Sequence, residues 1–285
     1  MAFSKTMKSS EGKVAIGIIV DIIIFLMVVI PIIVLDIVGV PYERGFFCDD
    51  ATIKYPYKYP IIPTLFLVLF FLLVPIIVVA LIEFMHVKEC YNVLTKKKRF
   101  SKWFWSFYRF LRAFLFGFAI SLLVVQIFKF TLGALRPHFL DVCNPEVDCN
   151  GGNDSYIPGD VCNPESDEDD AFVRDARLSF MSAHASVSAF CMFFLIFYLQ
   201  YRLLIQRYTL VRPFLQYICL VLTILVSLSR ISDHHHHWSD VLAGFLNGLI
   251  FAILCAFVLL KLRKKKMVNI RVCNSRKKSC IKDNK

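Results

Sequence analysis

The chain has 285 residues, 57% of them hydrophobic, and a formal net charge of +11. So apolar a composition, gathered into long runs, excludes a soluble domain and points to a polytopic helical membrane protein. The positive charge sits in tails and short loops beside those runs, so it speaks for membrane topology and against a nucleic-acid partner.

Residues 1–13 form a short basic tail with Lys5, Lys8 and Lys13. A first span runs from Val14 to about Val40, too long for a cleaved signal peptide and followed by no small-residue cleavage pattern. Asp21 lies deep within it and must face protein or water, with no role assignable beyond packing or folding. A polar loop from Pro41 to Pro60 leads to a second span, Ile61 to about Met85. Lys88 to Arg112 is strongly basic around Lys96-Lys97-Lys98-Arg99 and reads as a loop. The third span is about Ala113 to Phe130. A long polar segment follows, Thr131 to Ser179, densest in acid at Asp167-Glu168-Asp169-Asp170. The fourth span is about His184 to Leu204, the fifth about Pro213 to Ser229 and the sixth about Val241 to Leu262. Arg202, Arg207 and Arg212 mark the loop between the fourth and fifth, and a basic tail covers 263–285. The expected fold is all-α, with one membrane domain of six helices over residues 14–262.

Six spans put both termini on one side. The basic tails and loops fall there too, which makes that side cytosolic by the charge-bias rule. The segment 131–179 is then an outer loop. Asn153-Asp154-Ser155, an acceptor sequon, falls in it and makes Asn153 a glycosylation candidate. Of ten cysteines, Cys48, Cys143, Cys149 and Cys162 lie outside, where one or two disulfides are expected but pairing is unreadable. Cys191, Cys219 and Cys255 fall in spans as packing residues. Cys90, Cys273 and Cys280 lie on the cytosolic side.

The chemistry concentrates at outer helix ends. Ser229-Arg230-Ile231-Ser232-Asp233-His234-His235-His236-His237-Trp238-Ser239-Asp240 is a short connection between two spans. Were the sixth helix to begin near His236, Asp240, four residues on, would share its face and reach the imidazole. A carboxylate on one ring nitrogen leaves the other as base or nucleophile. Arg230 offers a planar fork for phosphate oxygens. Two further groups end on the same face: Lys129 to Arg136-Pro137, and Ser179-Phe180-Met181-Ser182-Ala183-His184. Taken singly, a lysine at a helix end snorkels, and a histidine opening a span is a structural hydrogen-bonding residue. Together, Lys129, Arg136 and Arg230 form a cationic cluster with two titratable rings, His184 and His236, and such a cluster wants an anionic ligand such as phosphate.

The pattern Lys129-x6-Arg136-Pro137, Ser182-x-His184 and Ser229-Arg230-x5-His236-x3-Asp240 resembles the three-part signature of the type 2 phosphatidate phosphatase superfamily. Arg44-Gly45-Phe46-Phe47-Cys48 and Trp238-Ser239-Asp240-Val241-Leu242-Ala243-Gly244 resemble its animal lipid phosphate phosphatase branch, with an insect wunen-type member as one candidate. The resemblance covers roughly Val14 to Leu262. It implies a magnesium-independent phosphatase without a cofactor. Lys129, Arg136, Arg230, the Ser182 hydroxyl and the Ala183 N–H would hold the phosphoryl group. His236 would attack phosphorus, Asp240 would fix its tautomer, and His184 would protonate the leaving alkoxide. Phosphatidate, lysophosphatidate, sphingosine 1-phosphate and ceramide 1-phosphate are the implied substrates, and a homo-oligomer at the plasma membrane, its site facing outward, the implied setting. One departure stands out: Met181-Ser182-Ala183-His184 occupies the place of the family's Pro-Ser-Gly-His. It keeps a non-catalytic lipid-phosphate carrier on the same fold as the alternative. A zinc or copper site in the histidine tract ranks last, since adjacent histidines cannot all face one ion without strain.

Overall fold

The computed structural model describes residues 2–90, 96–145, 156–159, 161–162, 167–203 and 209–257. The sequon at Asn153, Cys149 and the tail 263–285 lie outside them. The described chain contains helices α1 (Ala2–Val38), α2 (Thr64–Cys90), α3 (Lys96–Leu132), α4 (Phe139–Cys143), α5 (Asp167–Ala176), α6 (Ala183–Arg202) and α7 (Val211–Ser232). A further helix, α8 (Trp238–Phe257), completes the bundle. Six of them, α1, α2, α3, α6, α7 and α8, are long and apolar enough to cross a membrane, each near or above the ~20 residues that a hydrocarbon core demands. The protein is an integral membrane protein of the all-α class.

Helix α6 is the axis of the bundle. Most of its side chains are buried, while α1 leaves its apolar surface open, as a lipid-facing helix does. The core is aromatic: the Phe114 ring lies 5.6 Å from Phe190 and 4.9 Å from Phe194. Helix α8 reaches α6 through two glycines four residues apart. A Cβ on Gly244 would stand 2.3 Å from the Ser182 carbonyl oxygen, and one on Gly248 would stand 2.3 Å from that of Ser186. This spacing lets helix backbones approach closely in a bilayer. Between them, the Asn247 amide donates to Ser186 Oγ at 2.8 Å and Ser121 Oγ at 3.0 Å, fastening α8 to α6 and α3. At the opposite end Arg202 makes a two-pronged bond with buried Glu83, at 2.7 Å on each prong. The bundle is therefore cross-linked by polar contacts near both ends, where unsatisfied groups would be costly.

One expectation changes. The stretch around Lys102 to Arg112 is not a loop: α3 starts at Lys96 and at ~1.5 Å per residue its 37 residues reach well past a ~30 Å core. Its arginines have helical partners. Arg112 pairs with Asp21 at 2.9 Å, and Tyr108 donates to the same carboxylate at 3.1 Å. Asp21 is thus the anchor of α1 on α3, a contact between distant segments that neither local sequence announces.

At the site end, the connections α1–α2 and α3–α6 carry structure of their own. β1 (Phe46–Phe47) pairs antiparallel with β2 (Tyr156–Ile157), over a small core of Phe46, Leu135, Phe139 and Ile157. Cys143 and Cys162 form a disulfide, and Cys48 is disulfide-bonded as well. This cap holds the ends of α3 and α6 in place.

Candidate active site

Three local features assemble the site. Helix α3 ends at Gly133, whose φ of +50° is the left-handed cap that glycine adopts without strain, and whose N–H bonds back to the Lys129 carbonyl. The chain then runs beside the segment before α6: the Arg136 N–H donates to the Ala176 carbonyl at 2.8 Å and the Ser179 N–H to that of Ala134 at 2.9 Å. Ser182 caps α6, its Oγ accepting the Ala185 N–H at 3.4 Å. Its own N–H donates to the Asp240 carbonyl at 3.0 Å. Finally, α7 ends in Arg230 and Asp233, and His234, at φ +60°, turns the chain toward α8. The N–H groups of His235 and His236 close onto the Arg230 carbonyl, both at 3.2 Å.

The three expected groups therefore meet. Burial, then Arg136, Lys129, Arg230 and His184, push His236 well below the ordinary imidazole value. The three cations and the second histidine thus all act electrostatically on the one His236 ring. Arg136 and Arg230 are 5% and 2% exposed. Arg136 Nη2 bonds Asp175 at 2.7 Å and Arg230 Nη1 bonds Asp233 at 3.5 Å. In both guanidinium groups the buried Nε makes no hydrogen bond among the described residues. Two buried cationic donors without acceptors are what an oxyanion would satisfy. Ala183 opens α6, so its N–H belongs to the unsatisfied first turn that attracts anions. The Ser182 hydroxyl serves as a helix cap while its hydrogen remains free to donate.

His236 and Asp240 do not pair as the spacing suggested. Their Nδ1–Oδ2 distance is 4.0 Å, beyond a hydrogen bond. The reason is helix phase: α8 begins at Trp238, so His236 precedes it and the four-residue face argument does not reach it. Asp240 is instead the third residue of α8 and folds back on the cap, accepting the His237 N–H at 3.1 Å with the His237 ring nitrogen at 3.3 Å, as a capping box does. That contact raises the His237 ring above the ordinary imidazole value. Asp240 Oδ2 also accepts the Ser179 hydroxyl at 2.5 Å.

A strap from the connection between α1 and α2 crosses the site. The carbonyls of Thr52, Pro56 and Ile62 face ring nitrogens of His237, His234 and His184 at 3.3, 3.1 and 3.2 Å. The Ile61 N–H donates to Asp233 at 2.9 Å. Tyr57 packs against His138 and His235, with ring centroids 5.1 and 5.8 Å apart. Burial lowers both of these histidines to about 4. Sequence reasoning assigned no part to Asp175, Asp233, His138, Tyr57 or the strap, because all act through tertiary contacts. Among the described residues, no group of three or more His, Cys, Asp or Glu is arranged to hold a metal ion.

The PAP2 superfamily pattern matches residues 110–264, which include all of these site residues except the strap with Tyr57. Phospholipid phosphatase 1 of Rattus norvegicus is 39% identical over 238 residues, covering 83% of this chain and 82% of its own. Phospholipid phosphatase 2 of Mus musculus is 37% identical over 244 residues, covering 83% of each. Phospholipid phosphatase 2 of Homo sapiens is 35% identical over 247 residues, covering 83% of this chain and 80% of its own. No solved structure gives a significant match. Matched over more than half its length, and related across most of the rest, the chain belongs to the PAP2 superfamily.

Proposed function

We propose that this protein is a lipid phosphate phosphatase that removes phosphate from phosphatidate, lysophosphatidate, sphingosine 1-phosphate or ceramide 1-phosphate. The family and the relatives' names support the reaction class. The observation that carries the assignment to this site is the pair of buried, unpartnered Nε donors on Arg136 and Arg230. With Lys129 and the Ala183 N–H, they suit the three oxygens of a phosphoryl group and the charge that develops during its transfer. His236, held neutral by its surroundings, attacks phosphorus. His184 protonates the departing alkoxide, and water hydrolyses the phosphohistidine.

The charge bias supports cytosolic termini and a site facing the extracellular or lumenal side, the sequon supports a glycan at Asn153, and the family resemblance suggests the plasma membrane and a homo-oligomeric assembly. An endoglycosidase shift lost in Asn153→Gln tests the sidedness. The activity is tested by phosphate release from detergent-dispersed lysophosphatidate, with and without EDTA. Release that survives EDTA and disappears in His236→Ala is expected. Binding without release would favour a carrier, and complete loss on chelation would reopen metal chemistry.

A further inference from the structure

We infer that Ser179 is a positioning residue that couples the Asp240 carboxylate to the His236 ring. The inference deepens the phosphatase assignment and rests on it. Ser179 is completely buried, and its N–H is fixed to the Ala134 carbonyl. Its Oγ lies 2.5 Å from Asp240 Oδ2 and 3.5 Å from His236 Nδ1.

The roles follow from what each atom can do. An ionised carboxylate only accepts, so the hydroxyl hydrogen points to Asp240. The hydroxyl lone pairs are then left for His236, and only a protonated Nδ1 can use them. That selects the tautomer whose Nε2 carries the free pair. Asp240 cannot do this directly, because it stands 4.0 Å from Nδ1 and its Oδ2 also serves the His237 N–H.

During attack, the Nε2–phosphorus bond forms as the phosphorus–oxygen ester bond breaks, and the leaving oxygen takes its proton from His184. The His236 ring becomes cationic. Nδ1 keeps its hydrogen throughout, and Ser179 keeps its own. The hydroxyl, polarised by Asp240, accepts more strongly from the cationic ring and carries the carboxylate's stabilisation to it. The hydroxyl is therefore part of the orienting system that spacing alone had assigned to Asp240.

The test uses purified full-length protein, with turnover of lysophosphatidate and competitive inhibition by inorganic phosphate measured together. Phosphate inhibition reports the cation cluster, which a folded variant retains. Ser179→Ala is expected to lower kcat at least about tenfold, as when a ring loses the group that fixes its tautomer, with phosphate inhibition unchanged. Ser179→Ala/Asp240→Asn should fall within about twofold of Asp240→Asn alone, because the two groups act as one chain. If Ser179→Ala also loses phosphate inhibition, Ser179→Cys decides, since a thiol is near in size but a poor partner for both groups. A drop of about tenfold with inhibition intact supports the coupling. Wild-type turnover in Ser179→Ala or Ser179→Cys, or losses that multiply in the double variant, would overturn it. An inactive wild-type protein would instead sink the phosphatase assignment itself.

Discussion

His184 Nε2 lies 3.2 Å from the carbonyl oxygen of Ile62. A carbonyl only accepts, so Nε2 carries a hydrogen in this contact, and in the proposed mechanism Nδ1 is the nitrogen left to carry the proton for the leaving group. The strap thereby sets the orientation of the proposed acid.

The consequence is a substrate contrast. His184→Ala should reduce turnover of a lipid phosphate by about a thousandfold, since an alkoxide leaves poorly without a proton. An aryl phosphate, whose phenolate leaves unaided, should lose far less. Parallel rates on lysophosphatidate and p-nitrophenyl phosphate check this. Equal losses on both would mean that His184 serves folding.

The Arg136–Asp175 pair at 2.7 Å leads to a graded pair of variants. Burial works to raise the Asp175 carboxyl, but Arg136 and Lys129 outweigh it and hold it below the ordinary range. Asp175 therefore stays charged and braces the guanidinium. Arg136→Lys loses the planar fork and should cut kcat/KM about a hundredfold, or about 2.7 kcal/mol. Asp175→Asn should cost less, about tenfold, chiefly in KM. Tighter inhibition by inorganic phosphate in Asp175→Asn would show that Asp175 competes with substrate instead.

Ala183 stands where relatives of this superfamily are expected to carry glycine. Its N–H survives the change, and the residue opens α6 without being fully buried. Ala183→Gly should leave turnover within about threefold. A gain of about a hundredfold, about 2.7 kcal/mol in barrier, would mark the natural protein as an impaired enzyme.

Stability at the site end should fall with acid. His138 and His235 are lowered to about 4 and His236 is lowered as well, whereas the unfolded rings titrate near about 6.5. Below that pH the unfolded chain binds protons that the folded rings refuse, so stability present above about 6.5 is lost as pH falls toward about 4. Asp175, lowered by Arg136 and Lys129, adds to the same trend. His237, raised by Asp240, opposes it with stability that fades as pH rises through its folded value. Three lowered rings outweigh one raised ring, so the thermal aggregation midpoint should drop by several degrees between about pH 7.5 and about pH 4.5. His138→Gln/His235→Gln should flatten the profile, and an unchanged slope would contradict the assignment.

Sequence and structure agree where the signal is periodic or local. Six apolar runs were legible because a bilayer enforces length and composition. The three cations and two histidines were legible because they crowd helix ends. Other features escaped because they depend on helix phase and distant partners. Taking the sixth helix to begin near His236 gave Asp240 a direct bond to that ring; with a start at Trp238 the carboxylate bonds His237 and Ser179 and stands 4.0 Å from His236. Asp21 looked stranded until α3 extended far enough to bring Arg112 against it. Asp175 is one acidic residue in a segment full of them, and only the fold of the cap selects it. The disulfide between Cys143 and Cys162 likewise needed the cap to bring its halves together.

The nucleophile is tested most directly by trapping the covalent intermediate. Purified protein mixed with phosphate-labelled lysophosphatidate and quenched within milliseconds in alkali should carry label that is stable to base and labile to acid, as a phosphohistidine is. Peptide mapping should place it on His236, and His236→Ala should carry none. Label on any other residue, or wild-type turnover with no trapped phosphate in a His236→Ala protein that remains active, would contradict His236 as the nucleophile.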